Sequence, residues 1–267
     1  MMDGVVVGVS AVAVAALMAI TALAAKRTGR WSVVDVTWGL GFLVVAVIAL
    51  LVGDGDPLRR GLLFGLPVAW ALRLASHILR RARGQGEDPR YDELKHNGRG
   101  GFARQVLLPQ GVAIFFVSLP IQIGVGSDRS VGWLAWLGTL VWLVGLAFEA
   151  IGDAQLKAFK ADASHKGKVM DRGLWAWTRH PNYFGDACVW WGIYLVAADS
   201  GWAGVATILS PVVMTYFLVF ATGARLLEKT MMQREGYPAY AERTSMFFPR
   251  PPRAARAGPR GGARAKT

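Results

Sequence analysis

Seven apolar runs, each close to the length that crosses a bilayer, dictate most of what this chain can fold into. They cover about residues 5–25, 32–52, 61–80, 105–125, 131–152, 183–198 and 202–223. About 20 apolar residues in a helix span the hydrocarbon core, and a helix pairs its backbone groups internally where no water is available. The expected fold is therefore an all-α integral membrane protein with about seven transmembrane helices. Composition agrees. Only 18% of the 267 residues are charged, against about a quarter in an ordinary soluble domain. The first run, Val5 to Ala25, is too long for the core of a signal peptide and has no basic residue before it. It reads as a first transmembrane helix.

The connections between the runs alternate in charge. Lys26, Arg27 and Arg30 make the first one basic, residues 80–104 carry seven basic against four acidic residues, and residues 157–181 carry six against two. From Arg225 onward there are ten basic and three acidic residues. In the intervening connections Asp54 and Asp56 balance Arg59 and Arg60, Asp128 balances Arg129, and Asp199 stands alone. Basic loops stay cytoplasmic, so the N-terminus is expected outside and the C-terminus in the cytoplasm. The net charge of +12 is then topogenic, which argues against a nucleic-acid partner. Residues 1–252 read as a single seven-helix membrane domain. Residues 253–267, rich in Pro, Gly, Ala and Arg, read as a disordered basic cytoplasmic tail within reach of anionic lipid headgroups. Cys188 is the sole cysteine, which excludes an intrachain disulfide and suits a buried small hydrophobe.

Ionisable residues within the runs usually face the bundle interior, and here they gather toward the cytoplasmic side. Asp35 lies in VVDVTWGLGF; Arg73 and His77 are four apart and share a helix face, with Arg80 and Arg81 following. Glu149, Asp153 and Lys157 form a stripe that Lys160 continues, Asn182 and Asp186 are again four apart, and Arg225 and Glu228 close the last run. Structural readings stand beside the functional one. Arg80, Arg81 and Arg225 suit helix-end markers, the Glu149 stripe suits a self-satisfied ion ladder, Asp35 suits a cap and His77 a hydrogen-bonded core residue. Trp31, Trp175, Trp177 and Trp202 suit interfacial anchors. Taken jointly, five helices bringing ionisable groups to one membrane face point to a polar pocket for an anionic ligand.

Lys157, Lys160, Lys166, Lys168, Arg172 and Arg179 suit a phosphate. Pro181 suits the first turn of a helix whose start at His180–Asn182 offers free N–H groups. Asp186, one turn on, is placed to accept a hydrogen bond from a ligand hydroxyl or amide. The chain has no Gly-rich nucleotide fingerprint and no clustered Cys/His set for a metal.

The segments GLWAWTRHPNYFGDACVWWG and LLEKTMMQREGYPAYAERTSMFFPRPP, with VVDVTWGLGF and WALRLASHILRRARGQGEDPRYDELK upstream, resemble the steroid 5α-reductase-like superfamily. The likeness is to its bacterial branch of unknown function and covers nearly the whole chain to about residue 252. The Arg179-His180-Pro181 corner with Tyr183 and Gly185 is also similar to isoprenylcysteine and phospholipid methyltransferases. The resemblance implies a seven-helix protein of the bacterial plasma membrane, with NADPH in a cytoplasm-facing cavity. It implies hydride transfer to an activated carbon–carbon double bond of a lipid or steroid-like substrate. Carried over, Asn182 and Asp186 bind the cofactor, Asp153 matches a cofactor-binding Asp followed seven residues later by a base, here Lys160 where the steroid enzymes use Arg, and Arg83 matches a phosphate-binding Arg. Arg179, His180, Tyr183, Lys157, Arg225 and Glu228 complete the expected cofactor set. The catalytic candidates are Asp35, His77 and Tyr91. The steroid enzymes' Gln-Glu pair is absent, since Val34 precedes Asp35, and their third-helix Tyr has no counterpart there, Tyr91 falling in the following loop. The competing expectations are a lipid methyltransferase using S-adenosylmethionine, favoured by the shared corner though Lys229 follows Glu228, and a non-catalytic scaffold or transporter.

Overall fold

The computed structural model describes residues 2–82, 84, 86–97, 101–221 and 223–252; Arg83 and the tail 253–267 lie outside the described residues. The α-helices in chain order are α1 Met2–Thr28, α2 Val33–Val52, α3 Pro57–Ala82, α4 Pro89–Asn97, α5 Leu108–Val117, α6 Leu119–Gly124 and α7 Trp133–Ala161. They continue with α8 Leu174–Trp177, α9 Pro181–Ala198, α10 Trp202–Val205, α11 Leu209–Tyr216, α12 Ala224–Met231 and α13 Tyr237–Arg243. Among the described residues, six helical stretches are long and apolar enough to cross a membrane: Gly4–Thr28, Val33–Val52, Pro57–Ala82, Ala103–Gly124, Trp133–Ala161 and Trp202–Met231. The protein is an integral membrane protein. The remaining expected span, 183–198, lies in α9, an 18-residue helix that includes Asn182 and Asp186 and is less apolar than those six.

Local chemistry moves several helix ends away from the hydropathy boundaries. α3 begins at Pro57 because Asp56 caps it, its Oδ1 accepting the Arg59 N–H at 2.9 Å, with proline in the first turn where its missing N–H costs nothing. The same Asp-Pro start recurs in the connection 80–104, where Asp88 Oδ1 accepts the Arg90 N–H at 2.9 Å and opens α4. The fourth span starts as a π-helical turn, Ala103–Leu107, and is broken between α5 and α6 at Ser118. Pro120 cannot donate to the helix ladder there. Beside the break the Phe115 carbonyl accepts from Ser118 Oγ at 3.0 Å and Gln122 Nε2 at 2.9 Å.

The chain forms two compact units. Unit 1 comprises Met1–Leu146 and Asp186–Tyr216. In it α2 packs against both α1 and α3. Phe42, Trp70 and Trp190, all fully buried, join α2, α3 and α9 in an aromatic triangle with centroids 4.3–5.6 Å apart. Gly138 and Gly192 let α7 and α9 approach backbone to backbone: a Cβ on Gly138 would meet the Gly192 carbonyl at 2.6 Å, the small-residue contact common between membrane helices. Arg59 was balanced by sequence against its own loop, yet it is fully buried. It pairs with Asp199 at 3.0 Å and donates to the Val196, Arg129 and Ser130 carbonyls. Asp199 therefore does not stand alone, and it also accepts the Gly132 N–H at 2.8 Å. Unit 2 comprises Ala147–Gly185 and the chain from Phe217 onward.

Candidate functional site

The expected site residues divide between the units: Asp35, His77, Tyr91 and Asp186 fall in unit 1, and Asp153, Lys157, Lys160, Arg179, His180, Asn182, Tyr183, Arg225 and Glu228 in unit 2.

In unit 1, α4 brings Tyr91 to Asp35. The Tyr91 hydroxyl donates to Asp35 Oδ1 at 2.5 Å, and Arg90 Nη2 donates to Asp35 Oδ2 at 3.1 Å. Tyr91 is buried; its burial first, and then the Asp35 carboxylate, push the phenol well above its ordinary range. It therefore keeps its proton and stays a hydrogen-bond donor at neutral pH. Arg90 is itself held by Asp88 at 3.0 Å. A second acid anchors α4 to the start of α2: Glu87 accepts the Trp31 N–H at 2.5 Å, the Ser32 N–H at 3.0 Å and Lys95 Nζ at 2.6 Å. A carboxylate there meets the free N–H groups and positive dipole end of α2. His77 lies half-buried on α3. Asp186 lies near enough to Arg73 to feel its charge, and its Oδ1 is shielded from solvent with no hydrogen-bond partner.

In unit 2 the Arg-His-Pro corner is a clasp for the C-terminal segment. Arg179 forms a two-pronged pair with Glu228, Nε to Oε1 at 2.5 Å and Nη2 to Oε2 at 2.8 Å. Its Nη1 donates to the Ala241 and Thr244 carbonyls at 2.8 and 2.7 Å. His180 Nε2 lies 3.2 Å from the same Glu228 oxygen, and its ring stacks on Tyr183. Tyr237, its phenol pushed up to about 12 by burial and the Glu228 carboxylate, donates to Glu228 at 3.4 Å. Thr178 Oγ1 donates to the Phe247 carbonyl at 2.8 Å, and Tyr240 donates to the Trp175 carbonyl at 2.5 Å. Gly152 on α7 gives Pro181 room: a Cβ there would meet the proline ring at 3.2 Å. Trp175, expected as an interfacial anchor, donates to the Gly152 carbonyl at 3.0 Å, whereas Trp177 and Trp202 are exposed. Asp153 is half-buried on α7, and Lys157 and Lys160 are exposed. Asn182 Oδ1 accepts the Tyr183 N–H at 3.1 Å, and Arg225 stacks over Phe220 at 4.4 Å.

Residues 22–244 match the family described as a protein of unknown function, DUF1295. The chain belongs to the DUF1295 family. It is also 25% identical over 174 residues to an uncharacterised protein of Schizosaccharomyces pombe (strain 972 / ATCC 24843), a match covering 53% of this chain and 47% of that relative. The chain thus matches about half the length of that curated relative. No solved structure matches it.

Three functional or organising residues of this DUF1295 chain were not singled out by sequence. Glu87 caps α2 from 55 residues away, and Tyr237 and Thr178 close the clasp. Spacing marked none of them, because their partners are distant in sequence. The Asp-Pro pair at residues 88–89, read as a helix start, would have flagged α4 and with it Tyr91.

Proposed function

We propose that this DUF1295 protein is a membrane-embedded, NADPH-dependent reductase of an activated carbon–carbon double bond in a lipid or steroid-like substrate. Its architecture would be the seven-helix, steroid 5α-reductase-like one, with the basic loops and the site at the cytoplasmic face. The observation that carries this reading is the Tyr91–Asp35 pair: a protonated phenol tethered at 2.5 Å to a carboxylate. It lies within one turn of the start of an apolar span.

The residues suit the cofactor in part. Asp186 Oδ1 is a shielded acceptor without a partner, suited to a ligand amide or hydroxyl, and exposed Lys157 and Lys160 suit phosphate. Asp153 and Asn182, in the same unit as the lysines, are further polar groups suited to the ligand. Arg179 is unsuited to phosphate, because its donors already serve Glu228, Ala241 and Thr244; with His180, Tyr183 and Glu228 it holds the corner in shape. Bound NADPH supplies the hydride. Tyr91 passes its hydrogen bond from Asp35 to the carbonyl oxygen of the acceptor, where negative charge develops. Asp35, braced by Arg90, orients the phenol, and His77 is the candidate source of the proton that completes the reduction.

The test uses the full chain in detergent, with thermal stabilisation by NADPH and by S-adenosylmethionine compared side by side. Stabilisation by NADPH, kept in Tyr91→Phe while enone-lipid turnover is lost, supports the reading. Stabilisation by S-adenosylmethionine alone replaces it with a lipid methyltransferase, and stabilisation by neither favours a non-catalytic role.

A further inference from the structure

Within unit 1 a groove of about 420 Å³ runs along the end of α1, inside the range of about 300–1,000 Å³ usual for small-molecule sites. Its floor and walls are apolar: Ala22, Ala25, Trp31, Phe102, Ala103 and Leu107. The Trp31 and Phe102 rings lie 5.0 Å apart and form one platform. The π-helical turn Ala103–Leu107 supplies one wall, an irregularity found frequently at functional sites. In that turn Gln105 Nε2 is shielded from water and has no hydrogen-bond partner.

Charge at the rim is one-sided. Lys26 lines the groove, and Lys26 and Arg27 close the last turn of α1, both exposed. Neither makes an ion pair among the described residues. Exposed Arg104 sits in the π turn, and Lys95 Nζ lies 5.7 Å from the Trp31 ring centre. Glu87, the acid beside this platform, is already engaged by Lys95 and by the Trp31 and Ser32 amides. An apolar channel at the end of a membrane span, with free cations and an aromatic residue at its mouth, complements a chain-bearing anion. A soluble anion would leave the floor uncovered, and a neutral lipid would leave the cations unmatched.

We propose that this groove seats an anionic phospholipid, its acyl chain along the Ala22, Ala25 and Leu107 wall and the Trp31–Phe102 platform, and its phosphate at Lys26 and Arg27. The site is independent of the reductase reading.

The full-length protein is purified in detergent and titrated with phosphatidylglycerol or phosphatidylcholine, bound lipid being counted by native mass spectrometry. The expected result is preferential retention of phosphatidylglycerol that glycerol 3-phosphate does not compete away. Lys26→Gln should weaken that retention about fivefold, the contribution of one surface lysine to an anionic headgroup. Ala103→Trp, at an exposed position that tolerates bulk, should fill the groove and abolish retention of the tight lipid, with the melting temperature of the lipid-free protein and its response to NADPH unchanged. Equal retention of both lipids, competition by glycerol 3-phosphate, or undiminished retention in Ala103→Trp would each overturn the proposal.

Discussion

Arg59 with Asp199 and Arg90 with Asp35 are both arginine–aspartate pairs of unit 1, at 3.0 and 3.1 Å. Their surroundings differ. The Arg59 side chain is fully buried and that of Asp199 is 9% exposed, and three carbonyls and the Gly132 amide complete the network. The Arg90 side chain is 63% exposed and that of Asp35 is 25% exposed, and the third member of this network is a phenol instead of a backbone group. A pair closed by backbone ties segments together and leaves little for a ligand. A pair closed by a side-chain hydroxyl within reach of solvent can exchange that hydroxyl's bond for one to a substrate. The Arg179–Glu228 pair shares the arginine side of Arg59, since the Ala241 and Thr244 carbonyls take its remaining donors, while its carboxylate also accepts from the Tyr237 phenol.

The sharpest way to break the comparison is Arg59→Ala. It leaves Asp199 buried without its cation, a change that costs about 3–5 kcal/mol, read as a large drop in melting temperature and in folded yield. Arg59→Met with Asp199→Leu should recover only part of the loss, because the Val196, Arg129 and Ser130 carbonyls stay without a donor. A wild-type melting temperature in Arg59→Ala would erase the distinction between closed and open pairs. Arg179→Lys comes next. Lysine lacks the planar fork that serves Glu228 and two carbonyls together, so a loss of about 2–3 kcal/mol is expected from hydrogen bonds to charged groups. Limited proteolysis should then cut first within residues 237–250. Unchanged protease resistance there would mean that the corner does not hold the C-terminal segment.

Tyr91→Phe tests the open pair. Removing one hydroxyl should cost about 1 kcal/mol of stability, while turnover of an enone lipid should fall about 10²–10⁴-fold, as for loss of a positioned acid. A variant that retains turnover removes Tyr91 from the chemistry even if Asp35 matters.

The contrast between these pairs also explains how much the sequence disclosed. Apolar runs located six spans, because hydrophobic length is a local property. Asp35, Tyr91, Arg179, His180 and Glu228 stood out as residue types, and the structure gathers them into two networks. What spacing could not disclose is which partner each charge takes. Arg59 balances Asp54 and Asp56 in a linear count, yet its carboxylate lies 140 residues on, two of its carbonyls in another connection and the third in α9. The 80–104 stretch reads as a topogenic loop because its basic excess dominates any window, whereas two of its acids do the structural work, Asp88 capping α4 and Glu87 capping α2. His180 and Glu228 are similarly separated by 48 residues, so the corner resembled an anion site while its arginine was already engaged.

The smallest expected effect concerns Glu87, the anchor that keeps α4 over Asp35. Burial alone would raise its pKa, but the Lys95 and Ser32 side chains and the Trp31 and Ser32 amides pull it from an ordinary 4.5 down to about 2. A group depressed in the folded state binds its proton more readily when unfolded. The stability it contributes is therefore fully present above about 4.5 and is lost as pH falls toward 2. Glu87→Gln should lower the melting temperature modestly at pH 6, and the gap to wild type should narrow by pH 3, because other carboxylates titrate alike in both proteins. Hydrogen exchange of α4 amides should follow the same course, with protection near residues 89–97 weakening first in the variant. A gap that is equal at pH 6 and pH 3 would mean that Glu87 holds α2 through shape and neutral hydrogen bonds alone. Tyr91 would then be kept at Asp35 by α4's own packing, with no contribution from the charge at the α2 N-terminus.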